Sequence, residues 1–442
     1  MIMRYTSAEM ASLWSEDAKL SRWRDVAVAV AHAQYEMGVV PAEALDQIRA
    51  APVPLIERVR QIEADTRHDV VAFIKAFTEP MDTKTAGFVH RNLTSSDIVD
   101  TAQAMALRTA NNWILAEARR FTVALGSQSL KHRNTVCVGR THGQAAAPDV
   151  FGHRLADFAF AVERSVVRLE AVGNDLAVVN LTGPVGTGIN LSPRLRELVA
   201  SRLNLGVPNA STQVIFRDAL ATWVADLAVL GGICEAFATD VRLGAHDGVA
   251  ELSEGQGPYQ VGSSSMPHKK NPITAEQICG VSRLLRGYVG PVMEDIALWQ
   301  HRDLSHSSVE RVAIPDAAAL AEHLLLKSTQ LCLGLEVDVK QMLRNVERAG
   351  RELASSRMLR DFLAAGMDRT EAVTASQAWV EGADGTEHEV NQDAAAPLMW
   401  PRLEPAVAVA VQEVLDSETL NAMFADVELL VGRAAKDLPA PC

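Results

Sequence analysis

The sequence predicts an all-α protein, and three observations point there. Prolines are absent from Met81 to Ala147, from Asp149 to Gly183, from Asn209 to Gly257 and from Asp316 to Ala396. These windows are rich in Ala, Leu, Val, Glu and Arg, which suit long helices. Apolar residues recur at helical spacing: Leu107, Ile114, Ala118, Phe121 and Leu125 form one stripe, and Leu155, Phe158, Val162, Val166 and Leu169 another. Strand signals are sparse, with Thr135-Val136-Cys137-Val138 reading as a short extended piece at most.

Taken in order, residues 1–93 form an N-terminal helical domain. Residues 94–345 form a central domain of long helices, and residues 346–442 a C-terminal helical domain. The Leu107 stripe belongs to a helix that starts near Thr94-Ser95-Ser96-Asp97. Arg140-Thr141-His142-Gly143-Gln144 reads as a connection, followed by a helix opened by Pro148. Between Asp218 and Ala245 the chain is apolar nearly all round, as expected of a helix buried in a bundle or a subunit interface. A polar, glycine-containing loop at about 250–271 interrupts the helices, and Asn271-Pro272 opens the next one as N-cap and first helical residue. A second polar loop spans Glu381 to Asp393.

The 442 residues are 48% hydrophobic and 22% charged, an ordinary balance for a globular protein. No uninterrupted apolar run reaches membrane-spanning length, and Met1-Ile2-Met3-Arg4-Tyr5 opens no signal peptide, so the expected address is cytoplasmic. The net charge of −13 argues against a general binder of nucleic acid or anionic membrane. An anionic small molecule must then be captured by local clusters of basic residues. Cys137, Cys234, Cys279, Cys332 and Cys442 are scattered and odd in number, which suits reduced thiols rather than a disulfide frame.

The densest chemistry lies in Gly262-Ser263-Ser264-Ser265-Met266-Pro267-His268-Lys269-Lys270-Asn271-Pro272, where hydroxyls, a histidine, cations and an amide share one loop. Such a loop suits a lid over an anionic substrate; a polar surface loop is the plain alternative. Thr94 and Asp97 have capping-box spacing, and the same helix start offers amides and hydroxyls to a carboxylate. Arg302-Asp303-Leu304-Ser305-His306-Ser307-Ser308-Val309-Glu310-Arg311 clusters hydroxyls and arginines in a way that suits phosphate, or else forms a solvated helix face. His301 and His306 lack zinc spacing, and Gly183-Pro184-Val185-Gly186-Thr187-Gly188 follows neither phosphate-loop nor dinucleotide pattern.

The loop's S-S-x-M-P-x-K-x-N pattern resembles the signature of the fumarase/aspartase superfamily, whose members split fumarate from succinyl compounds. T-R-H-D at 66–69, L-T-S-S-D at 93–97, G-R-T-H-G at 139–143, S-T-Q at 211–213 and R-D-L-S-H-S-S-V-E-R at 302–311 are similar to its succinyl-purine-nucleotide branch. The resemblance covers nearly the whole chain and implies a three-domain fold around a long-helix bundle. It implies Ser263 as the base for the Cβ proton, and His142, oriented by Glu276, as the acid for the leaving nitrogen. Lys269 and Asn271 stabilise the dianionic carboxylate in this scheme, while Thr94, Ser95 and Ser264 hold the succinyl end. Arg4, Tyr5, Arg302, Ser307 and Arg311 grip a phosphate; Arg67, His68, Asp69, His90 and Gln213 line the substrate, with His68 close to the chemistry. A homotetramer with shared sites is implied, and no metal or organic cofactor.

The chain departs from the family pattern at Arg91-Asn92, Tyr259, Lys270, His301, Ser356 and Val373, none of which belongs to the elimination set. A lyase acting on another N-succinyl compound is the alternative. A catalytically silent relative does not need Ser263, His142, Lys269 and Asn271, and a carboxymuconate cycloisomerase does not need the phosphate set.

Overall fold

A computed structural model describes residues 2–255, 266, 269–382 and 402–438. The chain divides into two compact units. The first comprises Met1–Glu117, Ser165–Gly232 and Val281–Leu325; the second comprises Ala118–Arg164, Ile233–Gly280 and Leu326–Cys442.

The N-terminal part holds α1 (Ala8–Leu13), α2 (Glu16–Glu36), α3 (Ala42–Ala50), α4 (Ile56–Thr66), α5 (Asp69–Thr78) and α6 (Thr83–Ala86). The long α7 (Ser95–Lys131) leads into a hairpin, β1 (Val136–Thr141) and β2 (Gln144–Val150). Then come α8 (Phe151–Leu176), α9 (Pro193–Leu203), α10 (Asp218–Gly244), β3 (Leu252–Glu254), α11 (Ile273–Gly287), α12 (Val289–Glu294) and α13 (Ser305–Leu333). β4 (Leu335–Val337) pairs antiparallel with β3. α14 (Val339–Ala349), α15 (Ser355–Ala364), α16 (Arg369–Glu381), α17 (Pro405–Leu415) and α18 (Glu418–Lys436) complete the order.

Local chemistry explains the helix starts. Ser7, Ser15, Ser192 and Ser417 each accept a backbone N–H from the first turn that follows them. Asp82, Asp338 and Asp368 do the same for α6, α14 and α16. Each cap satisfies an amide that the helix itself leaves unpaired.

In the first unit the core gathers Trp23, Val26, Val30, Ile48, Phe73 and Phe77 with Ile98 of α7 and Val199 of α9. A buried polar relay joins its long helices. The Trp223 indole N–H donates to Asn111 Oδ1 at 2.9 Å, and the Asn111 amide donates to the Leu169 carbonyl at 3.0 Å. In the second unit the Phe237 ring meets Phe121 and Phe158 edge-on at 5.6 and 5.8 Å, so α7, α8 and α10 share one aromatic contact. A further core packs Val136 and Val138 of β1 against Val346, Met358, Phe362, Trp379, Val407 and Val411.

Both stripes read from the sequence are buried along their whole length. Helix α10 is long and apolar enough to cross a membrane by composition, yet 61% of its most apolar window is buried inside the protein. Three sequence readings need correction. The 140–144 segment is not an irregular connection, because β1 and β2 pair around a two-residue turn at His142-Gly143. Pro148 does not open a helix; it lies in β2 opposite Val138, and α8 begins at Phe151. The Phe151 N–H to Thr135 carbonyl bond makes 136/150, and with it 138/148, a non-hydrogen-bonded pair, so proline's missing N–H faces away from β1 and costs no ladder bond. Helix α11 begins at Ile273 rather than at Pro272, and its first amides, those of Thr274 and Ala275, are taken by Glu254 of β3 at 3.0 and 2.7 Å. Of the loop expected at 381–393, Glu381 ends α16 and Gly382 caps it at φ 68°; positions 383–393 lie outside the described residues.

The β2–α8 junction sets one tight contact. A Cβ on Gly152 would stand 2.3 Å from the Ser129 carbonyl oxygen and 2.9 Å from the Arg133 nitrogen. Alanine's helix propensity favours the substitution by about 1 kcal/mol, while backbone overlap costs about 1–3 kcal/mol. Gly152→Ala should therefore lower the midpoint of thermal unfolding; an unchanged or raised midpoint would show that the junction can relax.

Candidate active site

Most of the sequence-predicted substrate residues fall in the first unit, around three chain segments. The first is the α4–α5 junction. Arg67 ends α4 in the left-handed region (φ 53°), and His68 caps α5, its Nδ1 accepting the Val71 N–H at 3.4 Å. Here the His-Asp pair marks a helix start. That capping bond leaves Nε2 of His68 facing Ser95 Oγ at 3.3 Å. His90 lies nearby with its Nδ1 buried and unpartnered, and burial, followed by the neighbouring His68, pushes its pKa down to about 4.

The second segment is the start of α7. The Asp97 carboxylate accepts the Thr94 N–H at 2.7 Å, as the capping-box spacing implied. Its other oxygen accepts the amides of Thr182 and Gly183 at 2.9 and 3.2 Å, so one buried acid fixes Thr94 and Ser95 against the 180–183 segment. Burial pushes Asp97 up to about 6 against the pull of those amides. The start of the glycine-rich 183–188 loop is thereby tied to α7. A Cβ on Gly186, at φ 83°, would stand 2.2 Å from the Ser211 carbonyl oxygen.

The third segment joins Gln213 to the start of α13. Gln213 donates through Nε2 to the Pro184 carbonyl at 3.0 Å and accepts Arg302 Nη1 at 2.9 Å. Asn180 Nδ2 holds the Gln213 carbonyl at 2.9 Å. Arg302 keeps a buried Nε with no partner, a donor aimed into the protein without an acceptor. Ser307 stands one turn along, and Arg311 pairs with Asp69 at 2.7 Å, linking α13 to the α4–α5 junction. Arg4 is exposed in a 3-10 turn, and Tyr5 lies edge-on to His323 at 5.4 Å; no hydrogen bond or ion pair joins either to Arg302, Ser307 or Arg311.

The remaining residues belong to the second unit. His142 sits at the tip of the β1–β2 hairpin with φ 53°, and Gly143 follows at φ 77°, the backbone that a two-residue turn of this twist requires. The hairpin is braced behind its tip. Arg140 reaches both Glu251 oxygens, at 3.0 and 3.3 Å, and Asn345 Nδ2 donates to the same carboxylate at 2.6 Å. Lys269 and Glu276 are exposed and Asn271 half-buried near the start of α11; His142 and Glu276 are not joined by a hydrogen bond or ion pair. Ser263 and Ser264 lie outside the described residues.

Sequence reading missed the buried supports: Asp100, Arg217, Glu310, Asn180, Glu251 and Glu254. The signal for Arg217 is a cation following the apolar Val214-Ile215-Phe216, which has no reason to be buried unless it is paired.

Behind the third segment, His306 and Asp295 are both almost wholly buried, each with an unpartnered side-chain atom. Burial, then Arg217, pushes His306 down to about 4; burial, then Glu310, pushes Asp295 up to about 7. The signs oppose. Acidification from about 6.5 to about 4 protonates His306 in the unfolded chain first, so its share of stability is lost as pH falls. Asp295 keeps its proton in the folded state up to about 7, so its share is lost as pH rises. Relative to wild type, His306→Asn should gain thermal stability towards about pH 4 and Asp295→Asn towards about pH 7; parallel profiles for the two variants would contradict both shifts.

The sequence profile of a lyase family matches residues 3–287. An adenylosuccinate lyase from Synechocystis sp. is 40% identical over 399 residues, which cover 89% of this chain and 92% of that protein. One from Deinococcus radiodurans is 38% identical over 418 residues, 92% of this chain and 96% of its own length. Among solved structures, a fumarate lyase from Mesorhizobium sp. superposes with a TM-score of 0.81 at 25% identity, covering 98% of this chain and 99% of that one. A 3-carboxy-cis,cis-muconate lactonizing enzyme from Pseudomonas putida, at 24% identity and a TM-score of 0.78 over 98% of this chain and 97% of that one, shows the same fold. The chain therefore belongs to the lyase family that holds these adenylosuccinate lyases, within the fumarase/aspartase superfamily.

Proposed function

We propose that this protein releases fumarate by β-elimination from N-succinyl purine nucleotides: adenylosuccinate, giving AMP, and succinylaminoimidazole carboxamide ribotide. The observation that carries the nucleotide reading is the third segment of the site. Arg302, held by Gln213, leads into α13, whose first two turns carry Ser307 and Arg311. Such a set suits a phosphate, which accepts from several donors at once.

In this reading Ser263 takes the Cβ proton, placing a second negative charge on the adjacent carboxylate. Lys269 and Asn271 stabilise that dianion, and Thr94, Ser95 and Ser264 hold the succinyl end. The C–N bond then breaks, its electron pair goes to nitrogen, and His142 supplies the proton to the leaving group. The His142 ring stands exposed at a braced tip, which suits a group that must meet a substrate. Glu276 orients it. His68, His90, Arg67, Asp69 and Gln213 line the substrate, and Arg4 and Tyr5 join the phosphate grip. A serine is a weak base at its ordinary pKa, so nearby cations must favour its alkoxide.

A homotetramer with shared active sites and a cytosolic address go with this reading. Exposed Val167, Val229, Leu243, Leu284, Val312 and Leu333 on the long helices support the cover of further copies. The division into domains at 1–93, 94–345 and 346–442 belongs to the same proposal.

Fumarate release should be rapid from adenylosuccinate and slow from a succinyl amine lacking the nucleotide. Release only from the second compound would keep the elimination and reassign the leaving group. Ser263→Ala should lower kcat by about 10²–10⁴-fold with substrate binding retained, and normal turnover would remove it as the base. Arg302→Ala should mainly raise KM for the phosphorylated substrate, so an unchanged KM would count against the phosphate assignment.

A further inference from the structure

One buried guanidinium lies behind the phosphate-binding segments. Arg217, immediately before α10, is 6% exposed, and its five N–H donors are all taken. Nε and Nη2 reach Glu310 of α13 at 2.7 and 3.3 Å. Nη1 and Nη2 reach Asp100 of α7 at 2.8 and 3.1 Å, and Nη1 also donates to the Ile215 carbonyl at 2.8 Å. Asp100 Oδ2 accepts the Ile215 N–H at 3.0 Å as well, which closes the 213–217 turn onto α7.

Each carboxylate in this fork belongs to a segment that carries site residues. Asp100 lies within two turns of Thr94 and Ser95. Glu310 is three residues from Ser307 and adjacent to Arg311, and Arg302 leads into the same helix. Arg217 itself is four residues from Gln213, the partner of Arg302. A buried ion pair is weak support for stability, because desolvating the charges offsets their attraction, and apolar residues of similar volume often serve as well. What an apolar cluster cannot supply is a planar fork that sets both the distance and the angle between two helices.

We propose that Arg217 is a positioning residue for substrate recognition, holding the start of α7, the 213–217 turn and the start of α13 in the one register where Arg302, Ser307 and Arg311 converge on a phosphate. The proposal deepens the nucleotide reading and rests on it. Neither Arg217, Asp100 nor Glu310 touches substrate in this scheme; they act through Gln213 and the α13 arginines.

Arg217→Lys keeps the charge but replaces the planar fork with donors that fan from one point. Glu310→Gln keeps the shape and removes one arm's charge, and it carries the test if Arg217→Lys does not fold. The measurement is kcat/KM for adenylosuccinate and for the same succinyl nucleoside without its phosphate, in wild type and in variants shown by circular dichroism to be folded. The preference for the phosphorylated substrate should fall about tenfold, through KM rather than kcat. A purely structural role would lower both substrates' values together and leave the ratio intact. Folded variants that keep the wild-type ratio overturn this inference alone. A wild-type protein that shows no preference for the phosphorylated substrate overturns the nucleotide reading, and this inference with it.

Discussion

The buried charge between Arg217, Asp100 and Glu310 constrains the first unit more than any single apolar contact. Hydrophobic packing is non-directional and tolerates small slides between helices. Five hydrogen bonds from one planar group do not, since each has its own distance and angle. The surrounding polar framework follows the same logic. Asp97 binds three amides from two segments, and Asn180 donates through Nδ2 to the Gln213 and Ser96 carbonyls and through its N–H to the Thr101 hydroxyl. The more exposed side chains of the candidate site are thus carried on a buried polar layer, an arrangement that holds their spacing.

The second unit solves the same problem with a carboxylate. Glu251 accepts from Arg140 and Asn345, and its carbonyl takes the Asp338 N–H. The β1 strand and the α14 stretch therefore meet at one residue just before β3. Glu254, two residues along β3 from Leu252, then caps α11 across a gap of about twenty positions. Acids placed at amide-rich helix starts and beside arginines recur in both units, which is how an acidic chain can still present local positive clusters.

Much of this was legible in the sequence, and the failures have physical causes. Long helices announced themselves because the Leu107 and Leu155 stripes repeat over many turns, and every member is buried. The hairpin did not, because Gln144-Ala145-Ala146-Ala147-Pro148 has poor strand propensity and is extended only through its pairing with β1. Thr94 and Asp97 gave half of their environment, the local half. The contact of Asp97 with Thr182 crosses some eighty-five positions, and no spacing rule reaches that far. The fork at Arg217 spans three distant segments, so a sequence shows only an isolated cation after an apolar run.

The hairpin at β1–β2 carries one more consequence. Its register slips once, between Gly139 and Arg140, before the turn at His142-Gly143. Side chains alternate between the two faces of a strand, so the irregularity decides which face Arg140 shares with its neighbours and how the tip is aimed. A single-residue insertion or deletion between Arg140 and Gln144 would shift this alternation, turning His142 away while leaving every nearby residue type unchanged. Length is therefore something this stretch of chain must preserve alongside the identities of Arg140, His142 and Gly143.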